Sequence, residues 1–189
     1  MAGHVVLVGL MGTGKSTVGR RIAARLERGF VDADEALVDR AGRSIAEIFA
    51  DDGEDVFRNL EADVLQSLLA EERPAIIASG GGVVLREESR QRLQQPGVTT
   101  VWLTASPEFL ASRVSPKPHR PLLSTDEPTL DVLARLHAER GPLYEEVADL
   151  TVDVQPFHRD DAGPRTALAD RIIDLVVAHE AVPSEGAPS

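Results

Sequence analysis

Short apolar runs alternate along this chain with longer amphipathic segments. Five of these runs are predicted to be β-strands, and they lie at residues 5–8, 30–32, 76–78, 100–103 and 150–154. Between the runs, apolar residues recur at helical spacing, as at Val18, Ile22 and Leu26. Alternation of strand and helix is typical of a parallel sheet that is covered by helices on both faces. We therefore predict an α/β fold, a three-layer α/β/α domain with a mostly parallel, five-stranded sheet.

Local signals mark the ends of several helices. Ser44 and Glu47 have the spacing of a capping box. Ser106 before Pro107 places an N-cap residue ahead of a proline at the first helical position, and predicts a helix to about residue 113. Periodicity predicts further helices at residues 54–70, at 129–139, directly after Pro142, and at 165–181.

Proline-rich segments predict the loops and the end of the domain. Prolines at positions 116, 118 and 121 predict a loop over residues 115–124, and residues 155–164 are predicted as a second loop. We expect residues 1–181 to form a single domain. Residues 182–189 are rich in Pro, Ser, Gly and Ala, and we expect a disordered tail there.

The composition removes several classes of function. The 189 residues include 20 basic and 31 acidic side chains, and the net charge of −11 disfavours nucleic acid as a partner. The chain has no cysteine for disulfides or thiolate catalysis, and its five histidines lack metal-binding spacing. No apolar run approaches the roughly 18 residues of a membrane span, and no basic leader precedes the first run. We expect a cytoplasmic protein with no membrane partner, and the polar helix surfaces favour a monomer.

One motif points to a reaction class. Residues 9–16, GLMGTGKS, match G-x-x-x-x-G-K-[ST] between a predicted strand and a predicted helix, which is typical of a P-loop NTPase. In such a loop, backbone N–H groups and a helix N-terminus bind phosphate, the lysine reaches the outer phosphates, and the hydroxyl ligates Mg²⁺. The alternative is a glycine-rich turn whose lysine is solvated. The residues predicted to bind ATP are Gly12, Thr13, Gly14, Lys15, Ser16 and Thr17, with Lys15 also catalytic and Ser16 also a ligand of Mg²⁺.

Binding of a nucleoside triphosphate leaves GTPase, motor and kinase functions open. Asn59 is the sole asparagine and Leu60 follows it, so the N-K-x-D pattern of guanine-specific GTPases is absent. Motor ATPases are normally larger and act on polymers. A kinase for a small molecule or a nucleotide is therefore favoured.

Two carboxylates follow the second predicted strand. Asp32 ends this strand next to the P-loop, where it would hold Mg²⁺ directly or through water. Asp34 lies at the start of a helix, facing the pocket for the phosphoryl acceptor. The alternative for Asp34 is an N-cap, a role that is compatible with catalysis.

Further short strings occur in the order found in one kinase family. They are DAD at residues 32–34, GRSI at 42–45, FRNLE at 57–61, GGG at 80–82, RPLL at 120–123 and RGPLY at 140–144. With GLMGTGKS, this order from about residue 5 to residue 154 resembles the shikimate kinase family. The resemblance implies that the chain uses ATP and Mg²⁺ to phosphorylate the 3-hydroxyl of shikimate to shikimate 3-phosphate, a step of aromatic amino-acid biosynthesis.

The resemblance also implies an acceptor pocket that suits shikimate, which carries one carboxylate and three hydroxyls. Arg58 and Arg140 would clamp the carboxylate as planar forks. Asp34 would take the proton of the attacking hydroxyl, acting as catalytic base and substrate ligand. The N–H groups of Gly81 and Gly82 would approach the substrate where a side chain would collide.

For three other residues predicted to line the pocket, a purely structural role is the alternative. Phe49 and Phe57 would form a wall against the ring of the substrate, and their alternative is plain core packing. The alternative for Arg58 is an ion pair with Glu61 on a solvated helix, whereas in the family Glu61 orients Arg58.

Two arginines are matched to the nucleotide half of the family's site. Arg120 lies in the Pro-rich loop, which corresponds to a mobile lid at about residues 114–125, and would contact the transferred phosphoryl group of ATP as a catalytic residue. Arg113 matches the arginine that packs on the adenine. Its alternative is a cation at a helix end, favoured by the helix dipole.

The chain departs from the family pattern in three places. Ala33 replaces the usual threonine, Pro116-Lys117-Pro118 stiffens the lid, and residues 155–164 align poorly, so no residue there is assigned to the adenine. Two alternative functions stay open: a kinase for another cyclic polyol acid or cyclitol on the same scaffold, and a non-catalytic nucleotide-binding regulator. The joint presence of the pocket residues named above argues against the regulator.

Overall fold

A five-stranded parallel sheet forms the centre of the molecule. The structure is a computed structural model that describes residues 3–114, 127–158 and 164–182. In these ranges the strand order is β2-β3-β1-β4-β5, and every neighbouring pair is parallel, which confirms the predicted sheet. The strands are β1 (His4–Val8), β2 (Gly29–Asp32), β3 (Ala75–Ala78), β4 (Val98–Thr104) and β5 (Leu150–Asp153).

Helices connect and cover the strands. Those of the described ranges are α1 (Lys15–Leu26), α2 (Ala33–Ala41), α3 (Ile45–Asp51), α4 (Gly53–Leu69), α5 (Glu87–Leu93), α6 (Pro107–Arg113), α7 (Thr129–Val147) and α8 (Pro164–Ala181). The capping box of Ser44 and Glu47 is present at the start of α3, and Ser106 caps α6 ahead of Pro107, as predicted. Helix α5 was not predicted, and it begins without a side-chain cap that would mark it in the sequence.

The structure corrects two of the predicted segments. The two helices expected on either side of Pro142 are one continuous helix, α7. Proline removes one backbone hydrogen bond, but Arg140, Gly141 and Tyr144 around it are all buried, and this tertiary packing holds the helix together. The predicted loop at residues 155–164 begins with a short 3₁₀ helix, Gln155–His158.

Three predicted segments lie wholly or partly outside the described residues. The lid beyond Val114, with Pro116, Lys117 and Arg120, lies outside the described residues, as do residues 159–163 and residues 183–189 of the tail. Within the described parts of the chain, no helix is both long and apolar enough to cross a membrane. The cytoplasmic location, the monomeric state and the single-domain boundaries stay predictions.

The position of β1 explains its continuous apolar sequence. The strand lies between β3 and β4, and Val5, Val6, Leu7 and Val8 are fully buried because helices cover both faces of the sheet. Helix α1 packs against α8, while α7 packs against α5 and α6. Because the strands are parallel, the carboxyl ends of β1, β2 and β3 share one edge of the sheet. The residues that follow these three strands build the site.

Candidate active site

A cavity of about 720 Å³ opens at the carboxyl ends of β1, β2 and β3. It is lined by most of the residues predicted for ATP, Mg²⁺ and the acceptor. They are Gly12, Gly14, Lys15, Ser16, Thr17, Asp32, Asp34, Phe49, Phe57, Arg58, Gly81, Gly82, Arg113 and Arg140. Thr13 is the exception among the described residues: it is buried, and its hydroxyl donates to the Leu10 carbonyl at 2.8 Å. Residues that are distant in sequence therefore share one cavity.

The P-loop has the backbone that its glycines predict. Gly9, Gly12 and Gly14 have φ values of 135°, 91° and 90°, which residues other than glycine rarely adopt. Gly14 directly precedes α1. The Lys15 amine donates to the carbonyl oxygens of Gly9 at 2.7 Å and Leu10 at 3.1 Å. The lysine is thus held over its own loop at the edge of the cavity.

Asp32 and Asp34 have different structural roles. The Asp32 carboxylate accepts the Asp34 N–H at 3.1 Å and is the N-cap of α2, so the alternative of Asp34 as N-cap is wrong. Asp34 lies in the first turn of α2 and borders the cavity. Asp32 and residues of the P-loop border the same cavity, although their strands are not neighbours in the sheet. Strand β3 lies between β2 and β1, so Asp32 reaches the cavity from the edge strand of the sheet. Ser79 directly follows β3, and its hydroxyl donates to the Leu7 carbonyl at 2.9 Å.

Arg58 is a buried cation of the acceptor half. Its guanidinium is paired with Glu61 at 2.7 Å and with Glu54 at 3.0 Å, and it lies 4.9 Å from the centre of the Phe57 ring. Burial raises the pKa of the Glu61 carboxyl, against the opposing effect of Arg58. The ion pair between Arg58 and Glu61 is therefore present. Both side chains are buried, so the pair does not lie on a solvated helix surface, as the alternative assumed.

The glycine turn after β3 fits between these charged groups. A Cβ on Gly82 would lie 2.0 Å from Arg58 Nη1, and a Cβ on Gly80 would lie 2.4 Å from Glu61 Oε1 and 2.8 Å from Asp34 Oδ1. A side chain at either glycine would therefore displace these charged groups. Gly82 therefore leaves room for the Arg58 guanidinium, whereas a Cβ on Gly81 would have ordinary contacts, and the approach of the two N–H groups to a substrate stays a prediction.

The two phenylalanines of the pocket pack in an apolar cluster and also border the cavity. Phe57 is 4% exposed and packs in a small apolar cluster with Leu37, Ile48 and other residues. Its ring lies 4.6 Å from that of Phe49, and both rings border the cavity. Core packing and the formation of a wall are therefore compatible.

Arg140 reaches the same turn from α7. It is 3% exposed, and its Nη1 donates to the Gly81 carbonyl at 2.9 Å. Tyr144, one helical turn further on, donates its hydroxyl to the same carbonyl at 2.5 Å. Sequence reasoning assigned no role to Tyr144, although its spacing of four residues from Arg140 places the two side chains on one helix face.

Arg113 joins the end of α6 to the P-loop. Its Nε donates to the Gly12 carbonyl at 3.2 Å, and its Nη1 lies 3.3 Å from His158 Nδ1. It is the last residue of α6, so a favourable interaction with the helix dipole also applies. His158 lies in the segment to which sequence reasoning assigned no residue, because nothing local indicates a contact between residues 45 positions apart.

These features define a class of protein. A parallel sheet whose P-loop shares a cavity with two buried arginines and an acidic residue is a P-loop phosphotransferase for a small acceptor molecule. The family model for shikimate kinase matches residues 11–175. The chain belongs to the shikimate kinase family.

Individual relatives agree with this assignment. A shikimate kinase of Nitrobacter winogradskyi is 49% identical over 148 residues, which span 78% of this chain and 67% of the relative. One of Xylella fastidiosa is 42% identical over 174 residues, which span 92% of each. Among solved structures, a shikimate kinase from Acinetobacter baumannii in complex with shikimate has a TM-score of 0.86 and 33% identity over 96% of this chain and 97% of that one.

Proposed function

We propose that this chain transfers the γ-phosphoryl group of ATP to the 3-hydroxyl of shikimate, giving ADP and shikimate 3-phosphate for aromatic amino-acid biosynthesis. The observation that carries the proposal is the convergence of two buried arginines on the glycine turn beside the P-loop. Arg58 Nη1 lies where a Gly82 side chain would begin, and Arg140 Nη1 is 2.9 Å from the Gly81 carbonyl. The cavity of about 720 Å³ has the size of sites that enclose small ligands.

The acceptor half suits an anion on a ring. The planar guanidinium groups of Arg58 and Arg140 bind a carboxylate through paired hydrogen bonds, a geometry that lysine lacks. Arg140 borders the cavity, and its Nε is buried without a hydrogen-bond partner among the described residues. The rings of Phe49 and Phe57 provide apolar contact for the carbocycle.

The phosphoryl transfer needs a base and a source of positive charge. Asp34 accepts the proton of the 3-hydroxyl while that oxygen forms a bond to the γ-phosphorus and the bond from this phosphorus to the ADP oxygen breaks. Lys15 stabilises the charge that develops on the phosphoryl oxygens. Arg113, which contacts the P-loop at Gly12, packs on the adenine, and Arg120 acts on the transferred group.

The residues present fit a Mg²⁺ ion that is bound together with ATP. Magnesium sites in kinases use one or two protein oxygens, with phosphate oxygens and water completing the shell. The Ser16 hydroxyl and the Asp32 carboxylate border the same cavity, and no cluster of three acidic or histidine ligands occurs among the described residues. Ser16 and Asp32 would hold the ion, Asp32 directly or through water, and when bound it neutralises phosphate charge.

The test is ADP release by the purified chain with ATP, Mg²⁺ and shikimate, with phosphorus NMR to locate the phosphate on the product. Shikimate-dependent ADP release with the phosphate on the 3-hydroxyl is the expected result. Quinate and myo-inositol serve as parallel acceptors. Faster turnover with either of them would overturn shikimate as the substrate, and no turnover with any acceptor would overturn the kinase activity.

A further inference from the structure

We infer that Tyr144 is a positioning residue for the carboxylate of the acceptor, because its hydroxyl fixes the peptide between Gly81 and Gly82. We infer that this arrangement holds the Gly82 N–H in position to donate to the substrate carboxylate. The inference rests on the proposed function and assigns a role to a residue that does not itself touch the substrate.

The burial of Tyr144 shows that its hydroxyl has a specific partner. The side chain is 1% exposed, and its ring stacks on Trp102 with 5.8 Å between ring centres. The hydroxyl, its single polar group, donates to the Gly81 carbonyl at 2.5 Å. Burial raises the pKa of Tyr144 well above its usual value, so the hydroxyl keeps its proton and remains a donor at working pH.

The geometry of the peptide transmits this contact to the cavity. No peptide bond is cis within the described residues, so the Gly82 N–H points opposite to the Gly81 carbonyl. None of the hydrogen bonds between described residues has the N–H of Gly81 or Gly82 as donor, although Leu85 N–H donates to the Gly82 carbonyl at 2.9 Å. Both glycines border the cavity, and we infer that a ligand bound there accepts from their N–H groups.

The three consecutive glycines at residues 80–82 do not by themselves fix the orientation of their peptide groups. Glycine has no side chain to restrict its dihedral angles, so the turn must be fixed by groups outside it. Arg140 also donates to the Gly81 carbonyl, but under the proposed function its guanidinium has a second task, which is to bind the substrate carboxylate. Tyr144 is assigned no contact with the substrate, so we expect its hydroxyl to hold the carbonyl in the occupied site as well.

Replacement of Tyr144 by phenylalanine removes the hydroxyl and keeps the ring. We expect the KM for shikimate to rise about three- to tenfold, as for the loss of one buried hydrogen bond, with kcat and the KM for ATP changed by less than about twofold. An analogue of shikimate that carries an alcohol in place of the carboxylate should bind equally to both proteins. An unchanged shikimate KM would overturn the inference.

Thr100→Val provides a matched control. The Thr100 hydroxyl is also buried and donates to a carbonyl, that of Leu93, at 3.0 Å, but it lies on β4 and does not border the cavity. Both variants should unfold at a lower temperature than the wild type, and Thr100→Val should leave the shikimate KM unchanged. An equal rise of KM in this control would assign the effect to general loosening and overturn a specific role.

A measurement on the unaltered chain covers the case in which Tyr144→Phe does not fold. Because the chain has one tyrosine, its hydroxyl proton is assigned without ambiguity in an NMR spectrum of protein labelled at that residue. We expect a slowly exchanging proton at low field, and fast exchange with water would overturn the hydrogen bond. This result does not depend on shikimate turnover, so failure of the inference and failure of the proposed function remain distinguishable.

Discussion

Arg58 and Glu61 lie one turn apart on α4 and form an ion pair of 2.7 Å in which each side chain is less than one-tenth exposed. The Glu61 carboxylate also faces Asp34 on α2 and Arg140 on α7. Glu54 completes the contacts of Arg58 from the solvent side, with a side chain that is 50% exposed. One guanidinium is therefore held between a buried and an exposed carboxylate, which fixes its plane before a ligand arrives.

Glu61→Gln should change how stability depends on pH. Burial raises the pKa of the folded Glu61 carboxyl above 4.5, so the folded state binds this proton more tightly than the unfolded state does. The stability of the wild type relative to Glu61→Gln should then be greatest below pH 4.5 and fall as the pH rises through the folded pKa. Urea unfolding of both proteins from about pH 4 to 8 measures this. A stability advantage of the wild type that grew with rising pH would contradict the raised pKa. Glu54→Gln, which alters the exposed partner of Arg58, is the control.

Gly82→Ala should damage the acceptor site selectively. The new Cβ would lie 2.0 Å from Arg58 Nη1, so the guanidinium must leave its position between the two carboxylates. We expect the shikimate KM to rise at least about tenfold while the Kd for ATP, measured by calorimetry, stays within about twofold. Gly29→Ala is the control, because its Cβ would meet its nearest neighbour at 3.9 Å. Equal effects of both variants would argue against a packed contact of Gly82 with Arg58.

Lys15→Ala should lower kcat by about 10³-fold or more, because its charge acts mainly on the phosphoryl oxygens of the transition state. Arg25→Ala is a suitable control, since Arg25 lies on the same helix, is half exposed and pairs with Asp170 on α8. Stopped-time assays of ADP release compare the three proteins. ADP production near the wild-type rate in Lys15→Ala would remove the P-loop assignment.

Asp34→Asn should keep the shape of the pocket and lose the proton acceptor. We expect kcat to fall by about 10²-fold or more, with little change in the Kd of shikimate or ATP. Single-turnover kinetics with saturating shikimate separates the chemical step from binding. A normal kcat with a raised shikimate KM would make Asp34 a binding residue without a role as base.

An alcohol analogue of shikimate tests the two arginines together. The alcohol analogue offers no anion to the buried guanidinium groups of Arg58 and Arg140. We therefore expect its kcat/KM to be about 30- to 5000-fold lower than that of shikimate. In Arg58→Ala the discrimination between acid and alcohol should shrink, because less charge is left without an anion. Equal turnover of acid and alcohol by the wild type would contradict the clamp and favour a cyclitol kinase.

The sequence by itself determined the features that depend on neighbours along the chain. The apolar runs predicted the strands because a central parallel strand must be apolar on both faces, and GLMGTGKS predicted the P-loop because its glycines allow the turn. The capping box at Ser44 involves residues three apart, so it too was predicted. In the site, these local patterns and the family resemblance indicated most of the residues that line the cavity.

Only the tertiary structure decided what depends on residues distant in sequence. It showed that α7 continues through Pro142, because packing on the sheet outweighs the lost hydrogen bond. It assigned the N-cap of α2 to Asp32 and left Asp34 to face the cavity. It also placed the Tyr144 hydroxyl on a carbonyl 63 residues away. The spacing of residues along the chain does not predict such contacts, because they form only when the strands and helices pack together.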